Sequence, residues 1–111
     1  MNTSELKGAA LDWAVAKCEG YIDNPDSWLY QAKNPENLRT SFRPSMHWAQ
    51  GGPIIERECI AIDFDGKVWT ASHNERPICY SAKTPLEAAM RCHVASKLGD
   101  KVEIHHKLIK G

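Results

Sequence analysis

No stretch of this sequence comes near the roughly 18 consecutive apolar residues that a membrane-spanning helix requires. Its first residues, MNTSELKG, lack the basic-then-apolar order of a secretory leader. Neither sign of charge is in excess, since 14 Lys and Arg stand against 14 Asp and Glu. That balance argues against nonspecific nucleic-acid binding, which needs surplus cations to neutralise phosphates, but leaves room for a small anionic ligand held by a local cluster. Cysteine is scarce and scattered. Cys18, Cys59, Cys79 and Cys92 never fall in C-x-x-C spacing, so zinc-knuckle and thioredoxin-type motifs are excluded. The expected compartment is the cytoplasm, with no membrane partner and no disulfides in a reducing environment. Cys18 and Cys92 lie in helical patterns and Cys59 opens an apolar run, so these three are expected as small core residues. Cys79, in RPICYS, is not placed by its neighbours.

What is present fits one domain. A chain of 111 residues, 42% hydrophobic and 25% charged, is long enough to bury a core of its own. Residues 4–19 carry a helical period: Glu5, Asp12 and Glu19 fall on one side, while Leu6, Ala10, Leu11, Trp13, Ala14, Val15 and Cys18 cover the other. Thr3 or Ser4 can cap its start and Gly20 can close its end. A long irregular segment follows, at about 21–53. It is broken by Pro25, Pro35 and Pro44, with a short helical turn expected around 27–32, where Trp28 and Leu29 would pack. Then CIAIDFDGKVWTASH predicts a β-hairpin at about 59–72: strands near 59–64 and 67–72 joined by a two-residue type I′ turn at Asp65-Gly66.

A second helix, at about 85–98, is fully punctuated. Thr84 is the N-cap, Pro85 the first helical residue, Glu87 the partner in a capping box and Gly99 an αL stop. Leu86, Ala89, Met90, His93 and Val94 form its apolar arc, which makes His93 a buried, hydrogen-bonded histidine rather than a metal ligand. KVEIHH then predicts a short closing strand on which His105 and His106 point to opposite faces and so make no metal site. The expected architecture is a small single α+β domain spanning 1–111, with an antiparallel sheet built on the hairpin and packed against two helices. No cofactor and no metal are implied.

One stretch, HWAQGGPIIERE at 47–58, carries the candidate site. Gly51 and Gly52 let a backbone approach a ligand and can aim successive N–H groups into a concavity. Pro53 can open a helical turn whose N-terminus adds positive dipole. Trp48 offers a ring face, Gln50 an amide, and Arg57 with Arg43 a fork for phosphate or carboxylate, with Glu56 alongside. Together these suit a nucleotide-like anion, although the pattern is neither a Walker A loop nor a G-x-G-x-x-G. The plainer alternative is a tight Gly-Gly-Pro turn with Trp48, Ile54 and Ile55 in the core and Glu56, Arg57 and Glu58 in solvent. Catalysis is not expected: His47 with Glu56 or Glu58, or His73 with Glu75, could be paired, but no spacing fixes a role.

Three blocks, SELKGAALDWAVAKCEG, HWAQGGPIIERE and TPLEAAMRCHVASKLGDKVEI, resemble a NinX-like family of small bacteriophage and prophage proteins of unknown function. The blocks cover about half the chain, in order. In the family pattern an acidic residue precedes the central Trp, where this chain has His47. The resemblance implies a phage accessory protein working in the cytoplasm of an infected bacterium, without assigned catalytic residues. The expected function is therefore binding without catalysis. The first candidate is a small nucleotide-like ligand, such as a host defence signal that the protein sequesters, in a site that a homo-oligomer interface could complete. The alternative is a host protein bound through exposed aromatic residues. Local shape discriminates the two: a concave site joining Trp48, Gly51-Gly52 and an arginine favours the small ligand, and a flat aromatic face favours the protein.

Overall fold

The computed structural model describes residues 1–19, 42–75 and 78–104. A 3-10 turn at Thr3–Glu5 leads to helix α1, Gly8–Cys18. Helix α2 spans Trp48–Glu58, strands β1, β2 and β3 span Ala61–Phe64, Trp69–Ser72 and Cys79–Ala82, and helix α3 spans Pro85–Leu98. The three strands form one antiparallel sheet in the order β1-β2-β3. The expected α+β architecture is found, with one helix more than the hydrophobic pattern predicts and, among the described residues, a third strand at Cys79–Ala82 in place of the expected closing strand. The helical turn expected near 27–32, the Gly20 stop and the pair His105 and His106 lie outside the described residues.

Helix α3 is the centre of the molecule. It packs on all three strands on one side and against α1 and α2 on others. The predicted arc of Leu86, Ala89, Met90, His93 and Val94 is buried, and so are Ala88, Cys92, Ala95 and Ser96. Small side chains nearly all round this helix let two layers close onto it at core density. Its N-cap is as predicted, with the Thr84 hydroxyl accepting the Glu87 N–H at 3.1 Å and Pro85 opening the helix, but the capping box is half made, because the Glu87 carboxylate accepts from Arg91 instead. Its end differs: Gly99 has φ +92° and ψ −171°, a glycine-only conformation outside the αL region.

The hairpin turn also differs from expectation. Phe64 pairs with Trp69, so four residues, 65–68, make the connection, and among the described non-glycine residues only Cys59 has a positive φ. A type I′ turn would need positive φ at Asp65 as well as Gly66. Instead the Asp65 carboxylate accepts the N–H groups of Lys67 and Val68, at 2.8 and 2.9 Å, and holds the longer loop. Strand β3, which pairs Ala82 to Trp69 through Cys79 to Ser72, was not expected. In this register Ile62, Trp69, Ala71, Tyr80 and Ala82 share the face that meets α3, while Asp63, Thr70 and Ser81 lie on the other.

Helix α1 begins later than its periodicity suggests. Thr3 does not cap it. The Thr3 hydroxyl donates to the carbonyl of Gly99 at 2.7 Å, and a bridge between Asn2 and Lys101 ties the chain start to the segment after α3. Among the described residues, the expected closing strand is reduced to that bridge, with Val102 buried behind it. Asp12, placed by periodicity on the solvent side of α1, is buried. Cys59 is exposed rather than core, because it caps α2 in the left-handed region at φ +54° and the buried run starts one residue later, at Ile60. Cys79 is also exposed, Cys18 half-buried and Cys92 buried. Burial pushes the Cys18 thiol up to about 12 and the Cys92 thiol up to about 11, which keeps both protonated and unreactive.

Candidate binding face of the second helix

The stretch 47–58 is neither a turn nor an anion nest. Residues 48–58 are helical throughout, including the Gly-Gly-Pro run and the residues 48–53 expected to be irregular. The helix starts from a turn at 44–46, where Met46 and His47 donate their N–H groups to the carbonyl of Arg43 at 3.0 and 2.9 Å. The Gln50 side chain folds back to accept the Arg43 N–H. Ser45 donates its N–H to Oδ1 of Asp12 at 2.9 Å, which anchors the turn on α1. Burial raises the pKa of Asp12, against the pull of the Ser45 hydrogen bonds and of Arg43 and His47.

Gly51 and Gly52 are used for different reasons. Gly51 is buried where α2 crosses α3. A Cβ there would sit 2.4 Å from the Pro44 carbonyl oxygen and 2.6 Å from Cδ2 of Leu86. Only glycine allows that approach. At Gly52 a Cβ would meet nothing closer than Cε3 of Trp48, at 3.9 Å, so the Trp48 ring lies alongside this glycine. Pro53 sits inside the helix, exposed, and has no N–H to give the Ala49 carbonyl four residues back. With two glycines and a proline, α2 is held by tertiary contacts rather than by intrinsic propensity. Ile54 is 4% exposed and fixes its inner face.

The far end of α2 is pinned by charge. Arg57 clamps Glu19 bidentately, Nη1 to Oε1 at 2.7 Å and Nη2 to Oε2 at 2.8 Å, while its Nε donates to Glu58 at 2.9 Å. Glu19 Oε2 is also 3.0 Å from Nε2 of His93, a fully buried ring on α3. The Arg57 hydrogen bonds hold Glu19 and Glu58 below the usual carboxylate range and raise the pKa of Arg57. His93 is pushed down by burial against the opposing pull of Glu19, so it is neutral at pH 7. The Arg57 fork is therefore occupied by Glu19 and Glu58 while its side chain stays half exposed, and Arg57 stands about 13 Å along the helix from Trp48 at about 1.5 Å per residue.

The residues singled out by sequence thus separate into three groups. Gly51 and Arg57 hold the helix in place. Arg43 and Gln50 build its first turn, with Arg43 also reaching the Met46 sulfur. Trp48 is 55% exposed and Met46 58% exposed, and Glu56 is exposed further along. The solvent side of α2 consequently opens with the apolar residues Trp48, Ala49, Gly52 and Pro53 and turns charged at Glu56, one turn further along the same face. A concavity of about 350 Å³ is present elsewhere, lined by Lys7 just before α1, Val68 of the hairpin connection, residues 81–83 at the end of β3, and Glu87 and Arg91 of α3, and by none of 47–58. Sequence patterning missed Asp12 and Glu19 as buried anchors. Their spacing marks a polar stripe, and the partners that cover it, Ser45 and Arg57, are 33 and 38 residues away.

Among the described residues no group of three or more His, Cys, Asp and Glu is placed to hold a metal ion, and no helix is long and apolar enough to cross a membrane. A comparison with curated proteins gives no match. Residues 2–97 match the family described as Bacteriophage P22, NinX, and this match includes α1, α2, all three strands and nearly all of α3. The chain belongs to the bacteriophage P22 NinX family.

Proposed function

We propose that this phage protein works by binding, without catalysis, and that it docks on a host protein in the infected cytoplasm through the outer face of α2. The observation that carries this reading is the exposure of Met46 and Trp48 beside Ala49, Gly52 and Pro53 at the start of α2, where Gly51 and Ile54 fix the opposite side in the core. Exposed tryptophan is a common anchor of protein interfaces, because it offers large apolar area at small conformational cost. The Ala49 carbonyl, left without its helical donor by Pro53, adds an acceptor on the same face. A nucleotide-like ligand held by Trp48 and Arg57 together is less well supported, since the two stand at opposite ends of the helix and the arginine is clamped by Glu19.

The test is a photo-crosslinking residue placed at Ala49 in cells making the protein, with a control at Asp63, which is exposed on the opposite face of the sheet from α3. The expected result is a discrete adduct with one host protein from position 49, absent from position 63 and lost when Trp48 is changed to Ser. Equal labelling from both positions, or an adduct indifferent to Trp48→Ser, rejects the docking face. An adduct between two copies of this chain would replace the host partner with self-association.

A further inference from the structure

A second, independent feature lies away from α2. The concavity of about 350 Å³ is bordered by Lys7, Lys83 and Arg91, with Ser81 and Glu87 beside them. Three cations face one carboxylate, and that carboxylate is taken: Glu87 accepts from Nη2 of Arg91 at 2.7 Å. Among the described residues no carboxylate lies within ion-pair distance of Lys7 or Lys83, both of which are exposed. A protein with no net charge therefore concentrates at one concave spot two positive charges that no carboxylate among the described residues pairs.

The arrangement is held rigidly by Arg91. Its Nε donates to the Leu6 carbonyl at 2.7 Å and its Nη1 to the Ser81 carbonyl at 2.8 Å, and its side chain is only 11% exposed. Lys7 follows Leu6 directly and Lys83 stands two residues after Ser81, so the same guanidinium fixes the chain segments that carry both lysines. With the Nη2 bond to Glu87, these bonds use three of its five N–H donors, leaving one N–H on each terminal nitrogen. Val68 and Ala82 complete the wall with apolar surface. A volume near the lower end of small-molecule sites, apolar wall on one part and cations on another, is the composition expected for an organic anion.

We infer that the Lys7, Lys83 and Arg91 concavity is a binding site for a small organic phosphate, its phosphate held between the lysines and the Arg91 guanidinium and its carbon skeleton lying on Val68 and Ala82. A nucleic-acid backbone fits less well, because successive phosphates call for a basic stripe and this chain has balanced charge. The inference is independent of the docking face on α2.

The test is two-dimensional amide NMR of the whole chain titrated with adenosine monophosphate, inorganic pyrophosphate and, as neutral control, adenosine. Both phosphates are expected to shift the amides of residues 7, 81 and 83 saturably, whereas adenosine is not. Lys7→Ala combined with Lys83→Ala is the chosen variant, because both side chains are exposed and the Arg91 anchors stay intact; it should weaken binding at least tenfold. An Arg91→Lys variant, which keeps charge but loses the anchoring geometry, should weaken it also while retaining a folded spectrum. Unsaturable shifts, shifts centred elsewhere, or undiminished binding by the double-lysine variant would each overturn the inference. Tighter binding of a single-stranded oligonucleotide than of the monophosphate would assign the site to nucleic acid instead and overturn it equally.

Discussion

Gly51 and Gly52 are adjacent and share a helix, yet they should answer a single added methyl in opposite directions. Gly51→Ala forces a Cβ into the Pro44 carbonyl and Leu86, so it should destabilise by about 1–3 kcal/mol, the usual scale of overpacking. Gly52→Ala removes unfolded-state freedom at a helical position where the nearest atom is 3.9 Å away, and should stabilise by about 0.5–1 kcal/mol. Denaturant unfolding of the two variants measures both. In the sequence the two glycines are indistinguishable, and with Pro53 they signal a turn. What makes them helical is α3 lying against Gly51, together with the Glu19 clamp on Arg57. Both are long-range contacts that no local pattern contains.

At the scale of elements, the parts that were legible are those whose ends carry their own chemistry. The start of α3 was legible because Thr84, Pro85 and Glu87 announce a cap within four residues, and Thr84→Ala should cost about 1 kcal/mol by thermal or denaturant unfolding. The hairpin was legible as a hairpin from its alternation and its Asp-Gly pair. Its turn type was not, because the Asp65 side chain lets a four-residue loop compete. Strand β3 was missed because Cys79, Tyr80, Ser81 and Ala82 offer little apolar alternation. Pairing to β2 and cover from α3 make it a strand. Of the candidate stretch, sequence read 48–53 as irregular where the chain is helical, and it did not give the solvent exposure of Trp48, which depends on which face α2 turns inward.

For the whole molecule, the polar network joining α1, α2 and α3 sets the response to acid. His93 is held neutral by burial below its ordinary 6.5. Unfolded chains then take up a proton that the folded chain refuses, so stability should fall as pH drops from about 7 through 6.5 and below. Glu19 and Glu58 are held below their ordinary 4.5, so their contribution is full above that value and is lost on further acidification. Asp12 opposes this second stage: its pKa is raised above 3.8, so protonation favours the folded state. His93→Gln should abolish the first stage and leave the second, as read by melting temperature across pH 4–8. An unchanged pH profile would mean that His93 is not the buried neutral group of this network.

The outer face of α2 is the part of the molecule on which the docking proposal stands, and the free energy of unfolding of Trp48→Ser tests it without knowing the partner. A tryptophan lying on the surface beside Gly52 should cost little, about 1 kcal/mol or less. A loss of about 3 kcal/mol or more is what removal of a core aromatic gives; it would return Trp48 to the interior and contradict the face on which a partner is proposed to dock.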